Sequence, residues 1–199
     1  MKTSLVALII VAQCVLLIVN LGEIYGLKSP PPFTQKAAMA RYVVHNTNWS
    51  VVSTVSRSFG GIPYGNVESS SDGPINNSTG IPYYYISPLD FVVKDAMKHS
   101  QVTATMSLME TGYCFRKNYD PEDPRCARVT IIGNLTKVVD VKELQFSHHA
   151  LFSRHPQMQY WPKDHQFAIY KINVTKVILL DFFGGASELS SAAYFAAKP

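Results

Sequence analysis

Trp49-Ser50-Val51-Val52-Ser53-Thr54-Val55, followed by Gly60-Gly61-Ile62-Pro63-Tyr64-Gly65 and Asn66-Val67-Glu68-Ser69-Ser70, decides the fold class. β-Branched residues dominate the first run, and such side chains suit a pleated, half-buried surface. The paired glycines reverse the chain, so residues 49–55 and 66–70 are expected to form a hairpin. Further runs of the same kind follow. Residues 69–80 are polar and make an exposed loop, and residues 82–86 form a short strand through Tyr83, Tyr84 and Tyr85. Residues 101–109 alternate, with Val102, Ala104, Met106 and Leu108 on one face. Strands over 128–136, 166–174 and 176–183 complete the set. Helices are expected over 37–46, from a Ser87 cap to about His99, and from Asp140 to just before His155-Pro156, with a short one after Ser190. About six strands lie close in sequence without helices between most of them, which argues against a doubly wound sheet. An α+β, mainly β architecture fits, an antiparallel barrel with peripheral helices.

Hydrophobic residues make up 47% of the 199 residues and charged ones 16%, which excludes a disordered chain and leaves room for one sizeable core. Lys2 precedes an apolar run over residues 5–19, and small residues stand at Gly22 and Gly26. That is the pattern of a cleavable signal peptide, here residues 1–26; an uncleaved membrane anchor over residues 5–21, near the lower length limit for a spanning helix, is the alternative. Residues 27–36, with Ser29-Pro30-Pro31-Pro32, read as a linker, and residues 37–199 as the folded domain. Loss of the peptide removes Lys2 and Glu23 together, so the net charge stays at +4. The basic residues are scattered singly, which speaks against direct nucleic-acid binding.

A secretory route gives meaning to two further patterns. Cys14 leaves with the signal peptide, and Cys114 and Cys126 remain as a pair that an oxidising lumen would bridge; two buried thiols are the alternative. Acceptor motifs for N-glycosylation occur at Asn48, Asn76, Asn77, Asn134 and Asn173, and crowding keeps Asn76 and Asn77 from being occupied together. No other segment is apolar for long enough to span a bilayer after cleavage.

Catalytic patterns are wanting. His148 and His149 would point about 100° apart on a helix, unlike an i, i+4 chelating pair. No Gly-x-Ser-x-Gly elbow occurs, no paired carboxylates stand out, and Gly60-Gly61 lacks the spacing of a phosphate-cradling loop.

The order of several motifs resembles the CREG family of secreted glycoproteins. These are Val52-Ser53-Thr54-Val55, Gly61-Ile62-Pro63-Tyr64-Gly65, Ser71-Asp72-Gly73-Pro74 and Gly80-Ile81-Pro82-Tyr83-Tyr84-Tyr85-Ile86-Ser87-Pro88-Leu89. Leu151-Phe152-Ser153-Arg154-His155-Pro156, Trp161-Pro162 and Leu180-Asp181-Phe182-Phe183-Gly184-Gly185 follow, and Cys114 and Cys126 fall at that family's cysteine positions. The resemblance implies a split β-barrel of the type that binds flavin mononucleotide (FMN) in pyridoxamine-phosphate oxidases, assembled as a homodimer. It implies no bound cofactor, because loop residues fill the equivalent pocket in this branch. It further implies a secreted or endolysosomal glycoprotein that influences cell growth and differentiation. Its receptor would be of the mannose-6-phosphate/insulin-like growth factor II type, and Asn173 matches a family glycosylation position. The alternative is an FMN-binding oxidoreductase that holds the flavin phosphate with Arg57, Ser69, Ser70 and Ser71.

Overall fold

The hairpin around Gly60-Gly61 is present. In the computed structural model, which describes residues 29–199, β1 (Trp49–Ser56) pairs antiparallel with β2 (Ile62–Ser71) from Trp49↔Ser69 to Ser56↔Ile62. The segment read as a signal peptide lies outside the described residues. Five more strands follow: β3 (Tyr83–Ile86), β4 (Gln101–Ser107), β5 (Arg128–Lys137), β6 (Ala168–Leu180) and β7 (Ser187–Ser190). Their order is β3-β2-β1-β4-β5-β6-β7, and an added β3–β6 pairing closes the first six strands into a ring. All pairings are antiparallel.

Alternation places Val52, Ala104, Met106, Val129, Ile131, Ile172, Val177 and Leu179 inside this ring, all buried. Helix α1 (Lys36–Asn46) packs Met39, Tyr42, Val43 and Val44 into the same core. Each such side chain contributes roughly 1.5–3 kcal/mol on burial. The other helices are α2 (Phe91–Ala96), α3 (Tyr113–Arg116), α4 (Val141–Arg154) and α5 (Ser191–Ala196). Asp140 caps α4 by accepting from the Glu143 amide at 2.8 Å, and Ser190 caps α5 in the same way. Leu151 of α4 joins a second core with Tyr83, Val138, Met158 and Ile169.

Three expectations need correction. The helix after β3 starts at an Asp90 cap, whose Oδ1 accepts from the Val92 amide at 2.6 Å; Ser87 instead donates to the His165 carbonyl at 2.6 Å. The runs 166–174 and 176–183 are one strand, β6. Its register against β5 slips between Ile132 and Gly133, leaving Thr175 unpaired in a bulge rather than breaking the strand. Gly133 permits that bulge, since a Cβ there would lie 2.2 Å from the Asn173 carbonyl oxygen. Finally, the folded unit reaches back to Pro31, so most of the supposed linker belongs to it. Phe33 stacks on Phe182 with centroids 4.3 Å apart, and Lys36 pairs with Asp181.

Candidate functional site

β2 and β3 are paired at only two positions, Ser70↔Tyr84 and Ser71↔Tyr83. Beyond them the strands part. Tyr85 and Ile86 stay on β6, opposite Ile169 and Ala168, while Glu68 and Ser69 stay on β1, opposite Ser50 and Trp49. The parting opens a slot of about 630 Å³. Tyr85, Trp161, His165 and Phe167 line one wall, and Glu68, Ser69, Ser87 and Asp90 line the floor. Tyr85 stacks near-parallel on Phe167 (5.0 Å) and Trp161 (5.9 Å), and the Trp161 and Phe167 centroids are 5.0 Å apart. The Ser87–His165 bond fastens this wall to the end of β3.

The floor is acidic. Glu68 faces inward and is 9% exposed. Asn66 Nδ2 bridges the carboxyls, donating to Glu68 Oε1 at 3.0 Å and to Asp90 Oδ2 at 2.8 Å. Burial first, and the Asp90 charge beside it second, push the Glu68 carboxyl up to about 8.

The phosphate-holding set of the FMN alternative is not assembled within one chain. Arg57 is exposed in the β1–β2 turn, whereas Ser69 stands at the far end of the hairpin opposite Trp49. Seven residues of strand separate them, about 23 Å. Ser70 and Ser71 are buried, and Ser71 Oγ is occupied with the Gly73 amide and carbonyl. Ser69 alone lines the slot, beside two carboxyls and with no Lys or Arg on its walls. Within one chain, Arg57 and the three serines therefore do not converge on a single phosphate.

The polar loop after β2 is held by a second constellation that sequence reasoning missed. Buried Asp72 receives bonds from His45 Nδ1 (2.6 Å), Ser78 Oγ (2.5 Å) and the Gly80 amide (3.0 Å). Arg154 donates to the His45 and Gly73 carbonyls, and Arg41 to Ser78 and to the Ala197 carbonyl. Tyr194 closes the set through a 2.9 Å bond to the Gly80 carbonyl. A signal existed: Arg41 and His45 stand four apart inside an otherwise apolar helix face, so both had to be buried and partnered. The network fixes the loop base, and Asn76 and Asn77 are exposed at its tip.

Asn48 and Asn173 are exposed as well. Asn134 is half-buried, accepts from Ser100 Oγ at 3.0 Å, and stands directly opposite Asn173 across β5 and β6. Cys114 and Cys126 form a disulfide, Cα atoms 5.4 Å apart, with both residues fully buried. His148 stacks on Phe152, and His155 Nε2 bonds the Ser70 carbonyl at 3.0 Å. Among the described residues, no group of three metal-ligating side chains is assembled.

A family model described as "CREG, beta-barrel" matches residues 31–196. Protein CREG1 of Gallus gallus is 39% identical over 173 residues, covering 85% of this chain and 90% of that one. Protein CREG1 of Homo sapiens is 36% identical over 167 residues, covering 83% and 76%. A solved heme binding protein from Mycobacterium smegmatis shares the fold with a TM-score of 0.65 at 15% identity, over 85% of this chain and 63% of that one.

Proposed function

The chain belongs to the CREG family, and from that premise we propose that it is a non-catalytic glycoprotein of the secretory pathway, cleaved near Gly26. It acts by binding a receptor or a lysosomal partner and so influences cell growth and differentiation. The observation that carries this reading is the combination, on one domain, of the Cys114–Cys126 bridge with exposed acceptors at Asn48, Asn77 and Asn173. Both features belong to an oxidising, glycosylating compartment. The acidic floor of the slot supports a binding role over flavin chemistry. A receptor of the mannose-6-phosphate/insulin-like growth factor II type would read the glycans, which places the sugars, not a peptide epitope, at the contact. Assembly as a homodimer is supported by the outer face of β1, β2 and β5, where Val55 and Val67 are exposed and Val51 and Ile132 half-buried.

The test is expression in secreting cells followed by analysis of the medium. Expected are a mature N-terminus near residue 27, a mass that falls on glycosidase treatment, a dimer by light scattering, and no flavin bands before or after soaking in FMN. Intracellular retention without glycans would overturn the secretory reading, and stoichiometric flavin would overturn the non-catalytic one.

A further inference from the structure

Glu68 and Asp90 bring two carboxyls together on the slot with no cation beside them. The Asn66 amide donates to both, the Val92 amide donates to Asp90 Oδ1, and the protonated Glu68 carboxyl is hydrogen-bonded to Asp90. Among the described residues, no Lys, Arg or His forms an ion pair with either. The nearest cation on α2, Lys94, lies over the Phe91 ring at 4.7 Å instead. His165 is the basic group lining the slot, and its ring stacks on Phe167. Glu68 is buried and Asp90 half-buried, and a buried carboxylate without a cationic or metal partner is costly.

The same slot is lined by the stacked rings of Tyr85, Trp161 and Phe167, and it is large enough for a small molecule or a single long side chain. Ring faces attract positive charge through their quadrupole, and most strongly when the cation is organic and weakly hydrated. A hydrated metal ion would gain nothing from these rings. A phosphate or carboxylate would meet the wrong sign. We propose that the slot between β2 and β3 binds an organic cation, an alkylammonium or guanidinium group seated on Glu68 and Asp90 with its carbon skeleton against Tyr85, Trp161 and Phe167. The site has the same chemistry whether the cation is a free amine or the end of a Lys or Arg side chain in an extended peptide.

Cation binding has a proton signature. With no ligand, the Glu68 carboxyl keeps its proton through neutral pH, because its value is raised to about 8. A cation set beside it favours the ionised form, so binding at pH 7 expels that proton to solvent. The charge and proton balance closes with the ligand charge entering and one proton leaving.

The experiment uses the mature glycoprotein and four probes: benzyltrimethylammonium, a capped peptide with one central arginine, the neutral phenyl glucoside, and phenyl phosphate. Calorimetry is run at pH 7 in two buffers of different ionisation enthalpy, with Trp161 emission followed in a Trp49→Phe background. Expected are binding of at least one cationic probe, about one proton released per site, and no binding of the phosphate. Glu68→Gln should weaken the cation at least tenfold and abolish proton release. Trp161→Ala should also weaken it, with a lower melting temperature but a retained fold by circular dichroism, since Trp161 is partly exposed (36%). Binding of the ammonium probe alone identifies a small-molecule site, and binding of the peptide alone a basic-peptide site; both support the proposal. Equal affinity for the glucoside and the cations would overturn it, as would binding that survives Glu68→Gln or absence of binding by both cations. All these readouts are made on purified protein, so they fail independently of secretion or receptor capture.

Discussion

Replacing Glu68 with Gln isolates one titration from the rest of the molecule. The Glu68 carboxyl titrates at about 8 in the fold against an ordinary value of 4.5. Between those values the folded protein holds a proton that the unfolded chain has lost. Stability from this group is therefore fully present below pH 4.5 and declines as pH rises through 8. The gap corresponds to roughly 5 kcal/mol as an upper bound, and polarisation around the slot reduces it to about 2 kcal/mol. Gln keeps the oxygen that accepts from Asn66 Nδ2 and carries no charge at any pH. Wild type and variant should be close in stability at pH 5, and at pH 9 the variant should be more stable by about 2 kcal/mol. For a domain of this size that is a difference in melting temperature of about 4–8 °C. Glu110, raised to about 7 by burial against three backbone amide bonds, titrates in the same range. It does so equally in both proteins and cancels from the difference. Urea unfolding at pH 5, 7 and 9 measures the effect, and a stability difference that does not change with pH would refute the assignment.

Cys126→Ser removes a bridge spanning 12 residues and should lower stability by about 2–3 kcal/mol, with reduced secreted yield; an unchanged melting temperature would sink the stabilising role. Asn173→Gln should remove one glycan and Asn134→Gln none. The two asparagines face each other across β5 and β6, so only one has room for a glycan, and Asn173 is exposed where Asn134 is half-buried. Site-resolved mass spectrometry that finds Asn134 fully glycosylated would contradict this. Gly133→Ala should cost roughly 3 kcal/mol, because its Cβ would meet the Asn173 carbonyl at 2.2 Å and push β6 off β5. Chemical denaturation measures that loss, and a variant as stable as wild type would disprove the close approach.

The parts of the fold that were legible are those where local chemistry leaves one choice. β1 is β-branched, a glycine pair turns the chain, and Asp140 has its partner three residues on. The misplaced helix start shows the opposite case. Ser87 and Asp90 are both competent caps in a linear reading, and a carbonyl 78 positions away, that of His165, takes the Ser87 hydroxyl. Thr175 and Gly133 are separated by more than forty positions, so a bulge that keeps β6 whole has no signature in the strand that bears it. β7 contains a single apolar residue, Leu189, too little for any period to register.

The candidate site failed to appear for a related reason, and the same residues show what would have revealed it. Arg57 and the serines at 69–71 look close along the chain, yet antiparallel pairing converts that closeness into the length of a hairpin. Glu68 and Asp90 look unrelated because they stand 22 positions apart, and the parting of β2 from β3 brings them onto one floor. Tyr64, Asn66, Glu68 and Ser70 alternate along β2 on the face that its partner fills with Ser50, Val52, Thr54 and Ser56. A strand that turns polar side chains toward the interior must satisfy them there. In β2 the Asn66 amide does part of that work, and the remaining negative charge is what makes the slot a place for a cation.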